Sequence, residues 1–260
     1  MPTLALIIEY DGTNYAGWQR QLNAVSVQSK IEKALFDITG LNLNLTGAGR
    51  TDAGVHASGQ VAHSVIEDDM LNHFTIPEDK IAIALNSNLP IDIRIKNAKI
   101  FETPFHARYD AIAREYSYSF HTEESVFLNR FSAYFRYKLN FDELYASASV
   151  FTGRHDFTTF SKFNPEIKNN FCTIEKCEWK RISDYQFNLK IKANRFLYGM
   201  VRSLVGVMID ISRGKREIEE VKNALEKCDR SLCSQLAPAN GLVLNRIYYP
   251  ENISDYFMQS

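Results

Sequence analysis

The chain has 260 residues, 45% of them hydrophobic and 12% aromatic, which is enough for a sizeable core and falls between one large domain and two modest ones. Lysine and arginine number 30 against 31 aspartates and glutamates, a formal charge of −1 that excludes a bulk polycation and leaves any polyanion to be met by a local patch. The apolar run Leu4 to Ile8 stops at Glu9, lacks a basic lead and is too short for a signal peptide or a membrane span, so the expected location is cytoplasmic.

In chain order, Thr3 to Tyr10 reads as a strand and Val27 to Ile38 as an amphipathic helix, with Ile31, Ala34, Leu35 and Ile38 on one face and Gly40 as its stop. Strands follow at Leu43 to Thr46 and Gln60 to Val65, then a helix around Asp79 to Asn86 and a strand from Ile91 to Ile100. The second half repeats the order. A strand spans Arg114 to Phe120 and a helix Phe141 to Phe151, with strands at Ile174 to Arg181 and Phe187 to Ala193. A helix from Arg195 to Ser212, a second from Glu217 to Cys228 and a final strand from Leu242 to Tyr249 complete it. Two β-α-β-β-α-β halves, ferredoxin-like in order, predict an α+β fold with mainly antiparallel sheet and helices on one face. The expected division lies at Pro104, giving an N-terminal subdomain over 1–104 and a C-terminal one over 105–260.

Three stretches can carry chemistry. The first, "GAGRTDAGVHASGQ" from Gly47 to Gln60, sets Asp52 among four glycines between two strands. Its carboxylate can be a nucleophile, a general base, a helix cap or a turn-stabilising group. The second, "FLYGMVRSLVGVMI" from Phe196 to Ile209, holds a single charge, Arg202, inside a core-like helix. An unpaired buried guanidinium costs several kcal/mol, so Arg202 is expected to meet a carboxylate or an anionic ligand, with Asp52 the partner of choice; the alternative is that it snorkels to water. Arg195, Gly199, Arg202 and Gly206 follow helical spacing and predict one stripe along which another backbone approaches. The third, "AREYSYSF", alternates so that Tyr116, Tyr118 and Phe120 share a face; Tyr118 and Phe120 read as core and Tyr116 as a rim residue able to stack on a base.

Other chemistries find little support. The cysteines form two C-x4-C pairs, Cys172 with Cys177 and Cys228 with Cys233, which do not have common zinc spacing and are expected to be free, mostly buried thiols. The histidines give no ligand constellation, and neither a phosphate loop nor a dinucleotide fingerprint is present. The basic groups at Arg213 to Arg216 and at Arg20 are the local clusters available to a polyanion.

The motifs "EYDGTNYAGWQRQ" (Glu9 to Gln21), "GRTDAGVHASGQVAH" (Gly49 to His63), "FHAR" (Phe105 to Arg108), "REYSY" (Arg114 to Tyr118), "FLYGMVR" (Phe196 to Arg202) and "GLVLNRIYYP" (Gly241 to Pro250) occur in an order that resembles the TruA family of tRNA pseudouridine synthases. The resemblance covers nearly the whole chain. It implies isomerisation of uridine to pseudouridine at positions 38, 39 and 40 of the tRNA anticodon stem-loop, by a homodimer working without cofactor or metal. Carried over residue by residue, it implies that Asp52 is the nucleophile, that Arg50 and Tyr116 bind substrate, and that Tyr116 and Arg202 serve catalysis. Cys172 stands where the family often has arginine, and an RNA contact made there is not implied for this chain. The runner-up is a noncatalytic RNA-binding protein with tandem RRM-like halves, which leaves Asp52 and Arg202 without purpose. Against a zinc deaminase, no C-x-x-C follows the H-x-E at His121 to Glu123, and against a glycosidase, no Asp or Glu stands out as a partner of Asp52.

Overall fold

The computed structural model describes residues 1–67, 70, 74–165, 168–230 and 233–258. The chain folds as two compact units, Met1–Ile112 with Leu244–Ser260, and Ala113–Val243. Among the described residues no helix is long and apolar enough to cross a membrane.

The first unit contains β1 (Thr3–Tyr10), α1 (Val27–Thr39), β2 (Thr46–Gly47), β3 (His56–Val65), α2 (Glu78–Asn88) and β4 (Ile93–Phe101). Its sheet runs β4-β1-β3 with antiparallel pairing throughout, and β2 adds two residues to β3. Leu4, Leu6 and Ile8 on β1 are fully buried, as are Ile31 and Leu35 on α1; each such side chain contributes about 1.5–3 kcal/mol of burial. Ser26 caps α1, accepting from the Ser29 amide at 3.2 Å, and Gly40 ends it in the left-handed conformation (φ 72°), the stop that the sequence predicts.

The second unit contains β5 (Ala113–His121), β6 (Ala133–Tyr134), α3 (Phe141–Ser149), β7 (Gly153–Asp156), β8 (Phe171–Arg181), β9 (Gln186–Ala193), α4 (Met200–Ser212) and α5 (Ile218–Lys227). Its sheet runs β5-β9-β8-β7, antiparallel, while β6 lies parallel to β5. Phe187 stacks on Phe120 (centroids 5.0 Å) and on Phe141 (4.4 Å), and Trp179 meets Phe120 edge-on at 5.2 Å, so the core here is largely aromatic. The chain closes with β10 (Leu242–Tyr248) and α6 (Glu251–Met258). Beyond Val243 both belong to the first unit, whose sheet β10 extends past β3.

The mainly antiparallel α+β architecture is as predicted, but several boundaries differ. The division falls at 112/113 rather than at Pro104, because Phe105 stacks on Phe101 (4.6 Å) and meets Tyr249 and Phe257 edge-on, holding residues 105–112 to the first unit. β2 is two residues long, not four: Leu43 and Leu45 are buried but outside the ladder. β3 starts four residues early, at His56, and shortens the glycine-rich connection. α4 begins at Met200 rather than Arg195, since Gly199 precedes it with φ 71°, outside the helical range. The expected stripe is broken there: Arg195 lies off the helix and donates through Nη2 to the Asn169 carbonyl at 2.6 Å. The cysteines are free as expected, yet only Cys172 and Cys177 are buried, while Cys228 and Cys233 are partly exposed.

Candidate active site

In the first unit the loop bearing Arg50 and Asp52 is held by its backbone. The Trp18 amide donates to the Thr51 carbonyl (3.2 Å), the Val55 amide to the Asp52 carbonyl (3.2 Å) and the Gly54 amide to the Tyr15 carbonyl (3.4 Å). Gly54 takes φ 77°, and a Cβ on Gly17 (φ 95°) would stand 2.5 Å from the Thr51 carbonyl, so the segment around Gly17 presses on the loop at a distance only glycine permits. Gln60, fully buried, reaches back from β3 to donate to the Gly49 carbonyl at 2.8 Å. The β1–β3 pairing shifts register between Ile8, opposite Gln60, and Tyr10, opposite Ala57, with the extra residue on β3, and the Tyr10 hydroxyl lies 2.8 Å from Thr51 Oγ1. Asp52 is thus half-buried on a fixed backbone beside an exposed Arg50.

A second brace lies alongside. His56 Nδ1 is 3.0 Å from both the Gly12 amide and the Asp11 carboxylate. A neutral Nδ1 accepts from Gly12 and a protonated one donates to Asp11, so this buried nitrogen ties β3 to the turn after β1 in either state. The Tyr15 hydroxyl donates to Asp92 at 2.6 Å, and its pKa is raised by burial first and then by that carboxylate.

In the second unit Tyr116 is the fourth residue of β5, opposite Ile191. It is buried, not at a rim, and meets Phe196 edge-on at 5.2 Å. Arg202 sits in the first turn of α4, partly exposed. Its Nε donates to the Ala237 carbonyl at 2.8 Å, and the Ala237 amide donates back to the Arg202 carbonyl at 3.0 Å. The backbone approach expected on this helix is real: a Cβ on Gly206 would run into the Gln235 carbonyl oxygen. Gly199 takes no part in it, with only loose contacts to Lys162 and Leu236. Tyr118 is fully buried and donates to the Pro238 carbonyl at 3.0 Å; burial pushes its phenol pKa well up, an effect tempered by the Arg202 charge.

Arg50 and Asp52 therefore lie in the first unit, and Tyr116 and Arg202 in the second. Gln60, His56 and the 235–238 segment were not singled out in sequence. A buried glutamine on a strand adjoining a glycine loop is the one signal that could have found any of them. Of the basic groups, Arg20 is paired with Glu32 at 3.1 Å, and Arg213 lies over the Tyr137 ring at 3.5 Å. Among the described residues no group of three or more His, Cys, Asp or Glu side chains could hold a metal ion.

Comparison with known proteins places these residues in a family. The sequence model described as tRNA pseudouridine synthase matches residues 6–110 and 148–250. tRNA pseudouridine synthase A of Acetivibrio thermocellus is 39% identical over 251 residues, covering 96% of this chain and 100% of its own. The protein of the same name from Bacteroides fragilis is 37% identical over 248 residues, covering 95% and 96% respectively. Among solved structures, the archaeal box H/ACA sRNP Nop10-Cbf5 complex contains a chain 8% identical, with TM-score 0.36, covering 91% of this chain and 59% of that one; the likeness is too slight to bear on the site. With the matched segments spanning most of its length, the chain belongs to the tRNA pseudouridine synthase family.

Proposed function

We propose that this chain isomerises uridine to pseudouridine in tRNA, at positions 38, 39 and 40 of the anticodon stem-loop, with Asp52 as the nucleophile and a homodimer as the working form. The observation that carries the reading is the Asp52 loop: the Thr51 and Asp52 carbonyls accept from the Trp18 and Val55 amides and the Gly49 carbonyl from the Gln60 side chain, while the aspartate stays partly exposed, within a segment that the family match spans. A carboxylate held by backbone needs little reorganisation when substrate arrives.

The reaction breaks the N1–C1′ bond of uridine, turns the uracil and joins C5 to C1′, and the C5 proton leaves while N1 takes one up. No electrons are gained or lost. Asp52 begins it as an ionised carboxylate, through attack at C1′ or C6 or through removal of the C2′ proton. Arg202 serves catalysis as a permanently charged guanidinium, its Nε anchored on Ala237. Tyr116 forms an aromatic wall for the detached uracil, and its phenol assists removal of the C5 proton. Arg50 binds substrate, filling the space the extruded base vacates or holding a phosphate.

The test is tritium release from C5-labelled uridine in unmodified tRNA, comparing wild type with Asp52→Ala at matched RNA occupancy. Release by wild type and none by the variant supports the reading, and mapping the product positions checks 38, 39 and 40. RNA binding without release by wild type would leave an RNA-binding protein with no synthase activity.

A further inference from the structure

The turn that follows β4 carries an aromatic ladder that the reaction does not use. Tyr109 is 75% exposed, yet its ring packs on His106 with centroids 4.2 Å apart, and His106 packs in turn on the buried His63 at 4.5 Å. Phe105 backs His63 edge-on at 6.0 Å. The turn is tightly fixed. The amides of Arg108 and Tyr109 both donate to His106 Nδ1 at 3.2 Å, the His106 amide donates to Asp110 Oδ2 at 2.7 Å, and the Asp110 amide returns to the His106 carbonyl at 3.1 Å. The Arg108 guanidinium lies 5.8 Å from the Tyr109 ring centroid.

A tyrosine that served only the core would be buried. Here one ring face is supported from below and the residue as a whole is left in solvent, at no cost in ordering a mobile side chain later. A flat, preorganised aromatic ring with a guanidinium over it, 5.8 Å from its centroid, matches a nucleobase and its phosphate: the base stacks on the ring, and the cation meets the backbone charge. Bases within a helix have both faces occupied by their neighbours, so the matching partner is an unpaired one.

We propose that Tyr109, supported by His106 and His63 and flanked by Arg108, is a stacking platform for an unpaired nucleobase of the RNA substrate, separate from the uridine that reacts. The proposal rests on the reading of tRNA as substrate. Its test is the affinity of fluorescently labelled unmodified tRNA for wild type, Tyr109→Ala and Tyr109→Phe at one salt concentration, with kcat and KM for pseudouridine formation measured beside it. Tyr109→Ala is expected to raise Kd roughly fivefold to a hundredfold, the range for losing one stacked base, with the loss falling on KM more than on kcat. Tyr109→Phe stays within about twofold of wild type because the π face is kept. Thermal melting of both variants checks that the turn survives. An unchanged Kd in Tyr109→Ala, or an equal loss in Tyr109→Phe, overturns the platform. Should wild type bind tRNA but form no pseudouridine, the catalytic reading fails, while the Kd comparison still decides on Tyr109.

Discussion

Gly206 offers the sharpest check on how Arg202 is held. It lies mid-way along α4, and a methyl group there would collide with the Gln235 carbonyl, a backbone atom that cannot swing aside as a flexible side chain would. Gly206→Ala by itself favours the helix by about 1 kcal/mol. Against that stand about 1–3 kcal/mol for overpacking and, once the 235–237 segment is pushed off, about 1.5–3 kcal/mol for the charged hydrogen bond from Arg202 to Ala237. The net expectation is a loss of about 1.5–5 kcal/mol. Urea unfolding followed by tryptophan fluorescence reads the stability, and tritium release measured well below the unfolding transition reads activity. Both are expected to fall, activity by more than the folded fraction explains, because Arg202 loses its anchor. A variant more stable than wild type with full activity would refute the argument: it would mean that the segment relaxes freely and that Arg202 is positioned by something else.

Replacing the fully buried Gln60 by Leu removes the donor to Gly49 and leaves that loop carbonyl unanswered; a loss of about 1–3 kcal/mol in urea unfolding and a lower kcat at saturating tRNA are expected, and an unchanged kcat would detach Gln60 from the loop's shape. His63 and His121 both have pKa values lowered mainly by burial, so the unfolded chain takes up protons first as pH falls below about 6.5. Their contribution is complete above that pH and is lost on acidification. Urea midpoints measured between about pH 7.5 and 5.5 should drop, and His121→Gln should flatten part of the slope. Burial raises the Cys177 thiol to about 12, so iodoacetamide followed by peptide mapping should label the partly exposed Cys233 well before Cys177.

Much of the architecture is legible because periodic burial and strong punctuation coincide: α1 between Ser26 and Gly40, and the alternating β5 and β9. What escaped depends on contacts between residues distant in sequence. α6 is short, with a sparse apolar face, and it is held by Phe257 packing on Phe101 and by the Asn97 side chain donating to the Phe257 carbonyl at 2.7 Å. β6 and β7 are two and four residues long and exist through their neighbours' hydrogen bonds. At the site, Asp52 and Arg202 stand out because a lone carboxylate in a glycine loop, or a lone charge in an apolar helix, is a local anomaly. That Gly206 matters for packing was readable, whereas its opposite number, Gln235, was not. Gly199 misled, since its helical spacing is innocent of the left-handed φ it adopts.

The first unit is discontinuous in sequence, and this orders its assembly in the cell. Its aromatic cluster is completed by Tyr249 and Phe257, which emerge from the ribosome after every residue of the contiguous second unit. Synthesis therefore completes the 113–243 segment first, while Phe101 and Phe105 wait for the Phe257 and Tyr249 rings until the last strand and helix are made. The loop bearing Asp52 is made early, but the unit that carries it is finished last.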